Sequence, residues 1–323
     1  MATKITLILL YLSAVAYLGY KGWKHTRSAS DYMVAGRESS SFIMAMSYGA
    51  TFISTSAIIG FGGAAAVFGM GLLWLTFLNI FLGIFVAFIF LGRRTRRMGR
   101  RLDCHTFPEI LGKRFQSRFI QGFAGIIIFL SMPLYAAAVL IGMSRYIEVN
   151  MGIPYHVSVL AFSILIAIYV IWGGLKGVMY TDAFQGVVMF GIMVVLLVYT
   201  YTIVGGVVEG HQALTNLADQ AVKTFGKMGH LGWTQMPTLG SPYWWILLST
   251  LVSGVGVGVL AQPQLAVRFM TVKSDRDLNR GVLVGGVFIL AMTGVAFTVG
   301  ALTNVVFFRD TGQVSLMATL AVS

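Results

Sequence analysis

The sequence has 323 residues, of which 57% are hydrophobic and only 11% charged, and its formal net charge at pH 7 is +12. Soluble domains carry roughly 25% charged residues, so this composition excludes an ordinary soluble domain and indicates an all-α integral membrane protein. The single cysteine, Cys104, excludes a disulfide within the chain.

The first predicted element is an apolar stretch from Ile5 to Tyr20, followed by basic residues instead of a small-residue cleavage site. This order is typical of a retained membrane anchor and not of a cleaved signal peptide. A membrane-spanning helix needs about 20 apolar residues, and windows of that kind recur along the chain. They predict about eight spans, at 5–24, 42–68, 72–91, 119–144, 156–173, 183–207, 243–262 and 281–308.

The basic residues are divided unevenly between the two sets of connecting loops. One set holds 18 of the 23 Lys and Arg residues, and it consists of 21–37, 92–118, 173–181 and 263–280. Because Lys and Arg concentrate on the cytoplasmic side of membrane proteins, this predicts that both ends of the chain lie outside. The dense run at 93–101 is expected to contact anionic lipid headgroups, and no nucleic-acid-binding module accompanies it.

The centres of the predicted spans contain no Asp, Glu, Lys or Arg, and no His/Glu/Cys cluster has metal-ligand spacing. Proton pumps use buried titratable relays, so this pattern does not favour proton coupling, and no nucleophile–base pair indicates an enzyme. The second span instead carries Ser47, Thr51 and Ser54, whose spacing of four and three places them on one helical face. Packing of small residues between helices is the alternative explanation.

The seventh predicted span is poorly suited to a continuous helix, because 253–263 contains alternating glycines and ends in a proline. It lies five spans after the second. Interrupted helices at corresponding positions are what an inverted repeat places at its substrate and ion site. Carbonyl and hydroxyl oxygens there suit Na⁺, so we predict a pathway along Ser47, Thr51, Gln262 and Pro263, with Na⁺ as coupling ion and no other cofactor.

Several segments of the sequence resemble the sodium/solute symporter family in their order and spacing. They are Tyr32–Arg37, Ser47–Gly60, Thr106–Leu111 with Arg114–Phe115, Gly173–Gly186 and Gln262–Met270. The resemblance implies a five-plus-five inverted-repeat fold preceded by one extra helix. It assigns one transmembrane domain to 1–323, with the extra helix in 1–30, the first repeat in 42–207 and the start of the second repeat in 243–323.

Members of the family have more helices than this chain offers. The chain is therefore expected to be a C-terminally truncated piece that inserts in a membrane but drives no uptake alone.

The resemblance also implies roles for particular residues. The family's sodium site falls here on the carbonyls of Ala50 and Ile53 and on the hydroxyl of Ser54, beside a substrate- and sodium-linked hydroxyl at Ser47. Arg37 matches a cytoplasmic arginine linked to coupling, for which ordinary positive-inside charge is the alternative. Asp182 matches an acid that assists sodium release to the cytoplasm, for which a favourable helix N-terminal charge is the alternative.

The function implied is sodium-coupled symport of a small organic solute in the cell membrane. Phe52 stands where the proline-transporting branch has an acid, and the Gly/Val-rich seventh span is similar to the pantothenate and monocarboxylate branches. A small carboxylate is therefore the expected solute. The alternative is a sensor input domain of a histidine kinase that carries a symporter-like region. The expected partners are the solute, Na⁺ and membrane lipids, and the oligomeric state stays open.

Overall fold

The computed structural model describes residues 2–53, 56–258 and 262–314, and these are almost entirely helical. Within those ranges the β contacts amount to one isolated parallel bridge between Ser39 and Val272. The predicted all-α class is therefore confirmed.

The helices coincide with the predicted apolar spans and add short segments between them. The first half contains α1 (Ala2–Lys24), α2 (Ala29–Val34), α3 (Ser41–Phe52), α4 (Phe61–Phe68), α5 (Leu73–Leu78), α6 (Arg93–Arg101), α7 (Phe107–Arg114) and α8 (Arg118–Met151). The second half contains α9 (Tyr155–Ile203), α10 (Val207–Asn216), α11 (Ala218–Phe225), α12 (Pro242–Trp245), α13 (Gly256–Gly258), α14 (Pro263–Phe269) and α15 (Asp275–Thr311). Three π-helical stretches, Ser56–Gly60, Asn79–Gly92 and Ile246–Val255, adjoin α4, α5 and α12.

Four helical stretches in the described part of the chain are long and apolar enough to cross a membrane: Ala57–Arg101, Arg118–Met151, Val170–Ile203 and Asp275–Thr311. Two shorter apolar helices, Tyr155–Ile168 and Pro242–Val255, lie between them in the sequence. The membrane character expected from the composition thus has a structural counterpart, while the count of eight spans stays a prediction.

The connection predicted at 173–181 is shorter than expected, because helical residues lie on both sides of a single break at Gly174, where φ is 53° and ψ is −161°. A Cβ on Gly174 would lie 2.7 Å from the ring of Tyr32, so both the backbone angle and the close approach favour glycine. The charge that suggested a loop, Lys176, pairs with Asp31 at 3.2 Å. A single neutralised lysine does not end a helix.

The connection between the predicted spans at 183–207 and 243–262 contains two short helices, α10 and α11. Polar residues and scattered glycines gave this segment a loop-like sequence. Buried apolar side chains such as Leu214, Leu217 and Ala221 nevertheless pack into a common cluster that holds the two short helices.

Contacts divide the chain into two compact units, each assembled from three separate stretches. The first unit comprises Met1–Thr51, Ala87–Val187 and Gln262–Gly285, and the second comprises Phe52–Val86, Val188–Ala261 and Gly286–Ser323.

In the first unit, two arginines of α6 bind the segment that leads into α15. Arg96 is only 6% exposed, and it donates to the carbonyl of Lys273 and to the carboxylate of Asp275, each at 2.5 Å. Arg97 contacts the same carboxylate through two nitrogens at 2.7 and 2.9 Å. We call Arg96, Arg97 and Asp275 the arginine clamp. Part of the basic run expected to face lipid therefore has a structural role.

In the second unit, Trp233 is fully buried and fastens the 229–241 segment to the end of α4. Its indole N–H donates to the carbonyl of Ala66 at 2.6 Å, and its own carbonyl accepts from the backbone N–H of Met70 at 2.7 Å. Gly69 lies between these two contacts with φ at +69°.

The same segment contains a buried histidine that should make the second unit sensitive to acid. His230 is 2% exposed; its Nε2 lies 2.8 Å from the carbonyl of Val67, and its Nδ1 accepts from the backbone N–H of Gly232 at 3.0 Å. Burial lowers the pKa of His230 below 6.5, against a smaller opposite effect of the Val67 carbonyl. The neutral ring, with its proton on Nε2, satisfies both contacts, whereas protonation of Nδ1 removes the acceptor for Gly232.

We expect the protein to lose thermal stability as the pH falls below about 6.5, because the unfolded state then binds a proton that the folded state resists. His230→Gln supplies one amide donor and one acceptor without titrating, so it should flatten this dependence. The measurement is the unfolding midpoint of the purified protein at about pH 7.5 and about pH 5.5 for both variants. An equal loss in the two variants would show that His230 is not the responsible group.

Candidate ion site

A large cavity in the first unit is not polar. It has a volume of about 840 Å³, lies between α1 and α9, and is lined by apolar side chains such as Leu12, Ile168 and Trp172. A groove of this kind suits lipid and not an ion. The polar groups that could handle a cation lie elsewhere in the first unit, where α3, α9 and α14 meet.

Asp182 of α9 is the centre of that polar cluster, and its side chain is 15% exposed. Its Oδ2 accepts from the hydroxyl of Ser47 at 2.7 Å and, at 3.4 Å, from that of Thr51. Ser47 and Thr51 are four residues apart on α3, so one helical face presents both hydroxyls. Two residues predicted for the pathway and one predicted for sodium release are therefore in direct contact.

A fourth member of the cluster, Arg268 near the end of α14, makes contacts through all three of its guanidinium nitrogens. Its Nη2 lies 2.9 Å from Asp182 Oδ2, and its Nε donates to Ser47 Oγ at 2.8 Å. Its Nη1 donates to the carbonyl of Gln264 at 2.5 Å. The Arg268 side chain is 5% exposed, so this is a buried ion pair joined to a hydroxyl network.

Two buried oxygens near this cluster have no hydrogen-bond partner among the described residues: Gln264 Oε1 and Tyr48 Oη. Gln264 precedes Arg268 by one helical turn, and its amide nitrogen donates to Gln262 Oε1 at 3.2 Å. Tyr48 follows Ser47, and its ring stacks on Phe269 with the centroids 5.5 Å apart. Buried polar atoms are normally satisfied, so these two unpaired oxygens call for an explanation.

The residues predicted to ligate sodium lie where α3 ends. Ala50 is half-buried on the last turn of α3, and Ile53, one residue past the helix end at Phe52, is 3% exposed. The carbonyl of Thr51 accepts from the hydroxyl of Tyr135 at 3.3 Å. Ser54 lies outside the described residues. Ion ligation by Ala50, Ile53 and Ser54 stays a prediction.

Gln262 and Pro263 lie at the start of α14. Pro263 is its first residue, a position that proline favours, and Gln262 precedes it in extended conformation without a side-chain capping bond. The preceding described helical segment ends at Gly258. Both residues are half-buried. Gln262 is linked to the polar cluster through Gln264, whose side-chain amide donates to Gln262 Oε1 and whose backbone carbonyl accepts from Arg268 Nη1.

Arg37 does not join the cluster around Asp182. It has φ at +58° and donates through Nη2 to the carbonyl of Cys104 at 2.9 Å, with Asp103 3.4 Å away. Asp103 is 83% exposed, so this ion pair adds little energy. A role of Arg37 in coupling stays a prediction.

Sequence reasoning missed Arg268, which it counted among the basic residues of the loop at 263–280. That loop assignment is wrong for its first part, because 263–269 is helical and Arg268 is 4% exposed. The available signal was its setting, since Arg268 is flanked by Val267 and Phe269 within an otherwise apolar segment. An arginine in such a segment needs a buried anion as its partner. Asp182 is an acid that also borders an apolar stretch, which makes it the candidate partner.

Comparison with known proteins shows the family of the chain. The sequence matches the Sodium:solute symporter family over residues 32–319. The chain belongs to this family. The resemblance noted from its motifs is thus confirmed, and members of the sodium:solute symporter family are transporters and not enzymes.

Individual relatives within the family agree with this result. The chain is 28% identical over 294 residues to the sodium/pantothenate symporter of Haemophilus influenzae, covering 91% of this chain and 58% of that protein. It is 27% identical over 279 residues to the osmoregulated proline transporter OpuE of Bacillus subtilis, covering 85% and 53% respectively. The chain therefore spans a little over half the length of the curated relatives it matches.

A solved structure shares the fold. It is the substrate-bound outward-open state of a Na⁺-coupled sialic acid symporter, which superposes with a TM-score of 0.78 at 20% identity, covering 98% of this chain and 64% of that one.

Proposed function

We propose that this chain takes part in sodium-coupled symport of a small organic solute, with Na⁺ as the only coupling ion. The observation that carries the proposal is the Asp182 carboxylate, held by the hydroxyls of Ser47 and Thr51 at the end of α3. Carboxylate, hydroxyl and carbonyl oxygens are the ligands that hard cations prefer. In this proposal a cation bound by Ala50, Ile53 and Ser54 would use the Asp182 carboxylate for its release.

For the solute we propose a small carboxylate such as pantothenate or a monocarboxylate. The sodium/pantothenate symporter of Haemophilus influenzae is among the similar relatives, as are proline transporters. Phe52 and the apolar Val255 do not supply a charged partner for an amino group. The relatives are named as transporters, which favours transport over a sensor domain of a histidine kinase.

In this proposal the chain provides the extra N-terminal helix, the first repeat and the beginning of the second repeat of the inverted-repeat fold. The end of α3 and the start of α14 would mark the two interrupted helices. The route past Gln262 and Pro263 would lead toward the Asp182 cluster, and Arg37 would act from the cytoplasmic side.

The test is equilibrium binding of radioactive sodium to the purified chain in lipid nanodiscs, with choline as the replacement cation. We expect saturable binding that Asp182→Asn weakens, because the neutral amide attracts a cation less than a carboxylate does. Adding pantothenate, lactate or proline should then raise sodium affinity only for the true solute, by linkage. Sodium binding that is absent, or equal in Asp182→Asn, would refute the proposed ion site.

The proposed orientation is tested by cysteine labelling. In a Cys104→Ala background, exposed Arg94 and Lys223 are replaced singly by cysteine, and intact cells are treated with a membrane-impermeant maleimide. We expect labelling at position 223 and none at position 94 until the cells are opened, because the basic run at 93–101 should face the cytoplasm. Labelling at position 94 in intact cells would reverse the orientation.

A further inference from the structure

Arg268 occupies the place at Asp182 that the proposed function gives to Na⁺. Its Nη2 lies 2.9 Å from Asp182 Oδ2, and its Nε donates a hydrogen bond to the hydroxyl oxygen of Ser47 at 2.8 Å. Those two oxygens are the ones that a cation at Asp182 would use. Because the guanidinium is always charged and this one is buried, it neutralises the carboxylate fully.

We propose that Arg268 is a tethered cation that binds Asp182 in the absence of Na⁺ and competes with Na⁺ for that carboxylate. The inference rests on the proposed function, since it assumes that Asp182 receives the coupling ion. A guanidinium and Na⁺ both carry one positive charge, so either cation neutralises Asp182, and the displaced guanidinium then needs a polar acceptor of its own. Neither state leaves Asp182 unpaired, which avoids the cost of an isolated buried charge.

The structure offers Arg268 a second position when Na⁺ displaces it. Gln264 Oε1 is buried without a partner among the described residues, and Arg268 Nη1 already donates to the backbone carbonyl of the same residue at 2.5 Å. Residues four apart on a helix are neighbours, so rotation of the arginine side chain suffices to reach this oxygen. The unpaired oxygen is then explained as the acceptor of the alternative state.

Competition also links Na⁺ to helix packing in the first unit. In the present state Arg268 ties α14 to α3 through Ser47 and to α9 through Asp182. Release of Arg268 removes both cross-links together. Na⁺ at Asp182 would therefore remove the polar cross-links of α14 and leave its apolar contacts, such as Phe269 on Tyr48, to hold it against α3.

The experiment measures the sodium concentration for half-maximal binding to the purified chain in nanodiscs. Arg268→Gln removes the competitor and should lower this concentration by about tenfold, which corresponds to about 1.4 kcal/mol. Gln264→Glu gives the arginine a competing carboxylate and should lower it as well, whereas Gln264→Met removes the alternative acceptor and should raise it. Arg145→Gln removes an exposed, ion-paired arginine and is the matched control, with no expected change.

The outcomes separate the two ideas. Sodium binding that is unchanged in Arg268→Gln and in both Gln264 variants would overturn the competition and leave the proposed ion site standing. No saturable binding in any variant would refute the proposed site together with this inference. If Arg268→Gln does not give a monodisperse protein, Arg268→Lys serves instead. The ammonium group of lysine cannot bind Asp182 and Ser47 together as the guanidinium does. We therefore expect Arg268→Lys to lower the sodium concentration for half-maximal binding by a smaller factor.

Discussion

Asp182→Leu should destabilise the protein by about 3–5 kcal/mol, because it leaves the guanidinium of Arg268 buried without its counter-charge. Leucine is larger than aspartate, so the loss does not come from a cavity, and the double variant described next separates the charge from the change of shape. The hydroxyl of Ser47 would also lose its acceptor, which adds a smaller cost. The measurement is the thermal unfolding midpoint of detergent-solubilised protein, followed by size-exclusion chromatography.

The double variant Asp182→Leu with Arg268→Met is the control that isolates the ion pair. Replacing a buried ion pair by apolar side chains is often neutral, so the double variant should recover most of the stability that the single variant loses. A double-mutant cycle then gives the coupling energy between the two residues. If the stability losses of the two single variants added up in the double variant, the ion pair between Asp182 and Arg268 would contribute no coupling energy.

Gly69→Ala is expected to have the second largest effect, about 3 kcal/mol or more. Gly69 has φ at +69°, and a Cβ there would overlap the backbone of Trp233. The backbone cannot move aside easily, because the Trp233 carbonyl accepts from Met70 and its indole donates to Ala66. The substitution therefore combines a strained backbone angle with the loss of a fixed contact.

Gly240→Ala is a matched control for this prediction. Gly240 also has a positive φ, +75°, but a Cβ there meets nothing within 4 Å. It should cost only the strain of the backbone angle, about 1 kcal/mol. Comparison of the two unfolding midpoints gives the steric part alone. Equal losses would show that the packing of Trp233 against Gly69 contributes nothing.

The sequence was sufficient for the parts of the fold that depend on hydropathy. Apolar stretches of the right length predicted where helices such as α8 and α15 lie, because lipid leaves a chain few other ways to satisfy its backbone. An interruption was predicted within 253–263 from alternating glycines and a proline, and α14 begins at Pro263.

The parts that depend on long-range pairing were not predictable in the same way. Lys176 was taken as a loop residue because its partner, Asp31, lies 145 residues earlier in the sequence. Arg268 was taken as a loop cation because its partner, Asp182, lies 86 residues away. In both cases a charge looked exposed until the structure supplied the opposite charge, and no local pattern names the partner residue.

The large separation of paired residues in the sequence also affects the order in which they are synthesised. Asp275 follows Arg97 by 178 residues, so a ribosome completes the basic run long before it makes the carboxylate of the arginine clamp. During that interval Arg96 and Arg97 have no protein partner in the clamp, and in the proposed orientation the anionic lipids of the inner leaflet would be the nearest counter-charge. The same arginines would thus first hold the nascent chain in its orientation and later exchange lipid phosphate for Asp275 as α15 arrives.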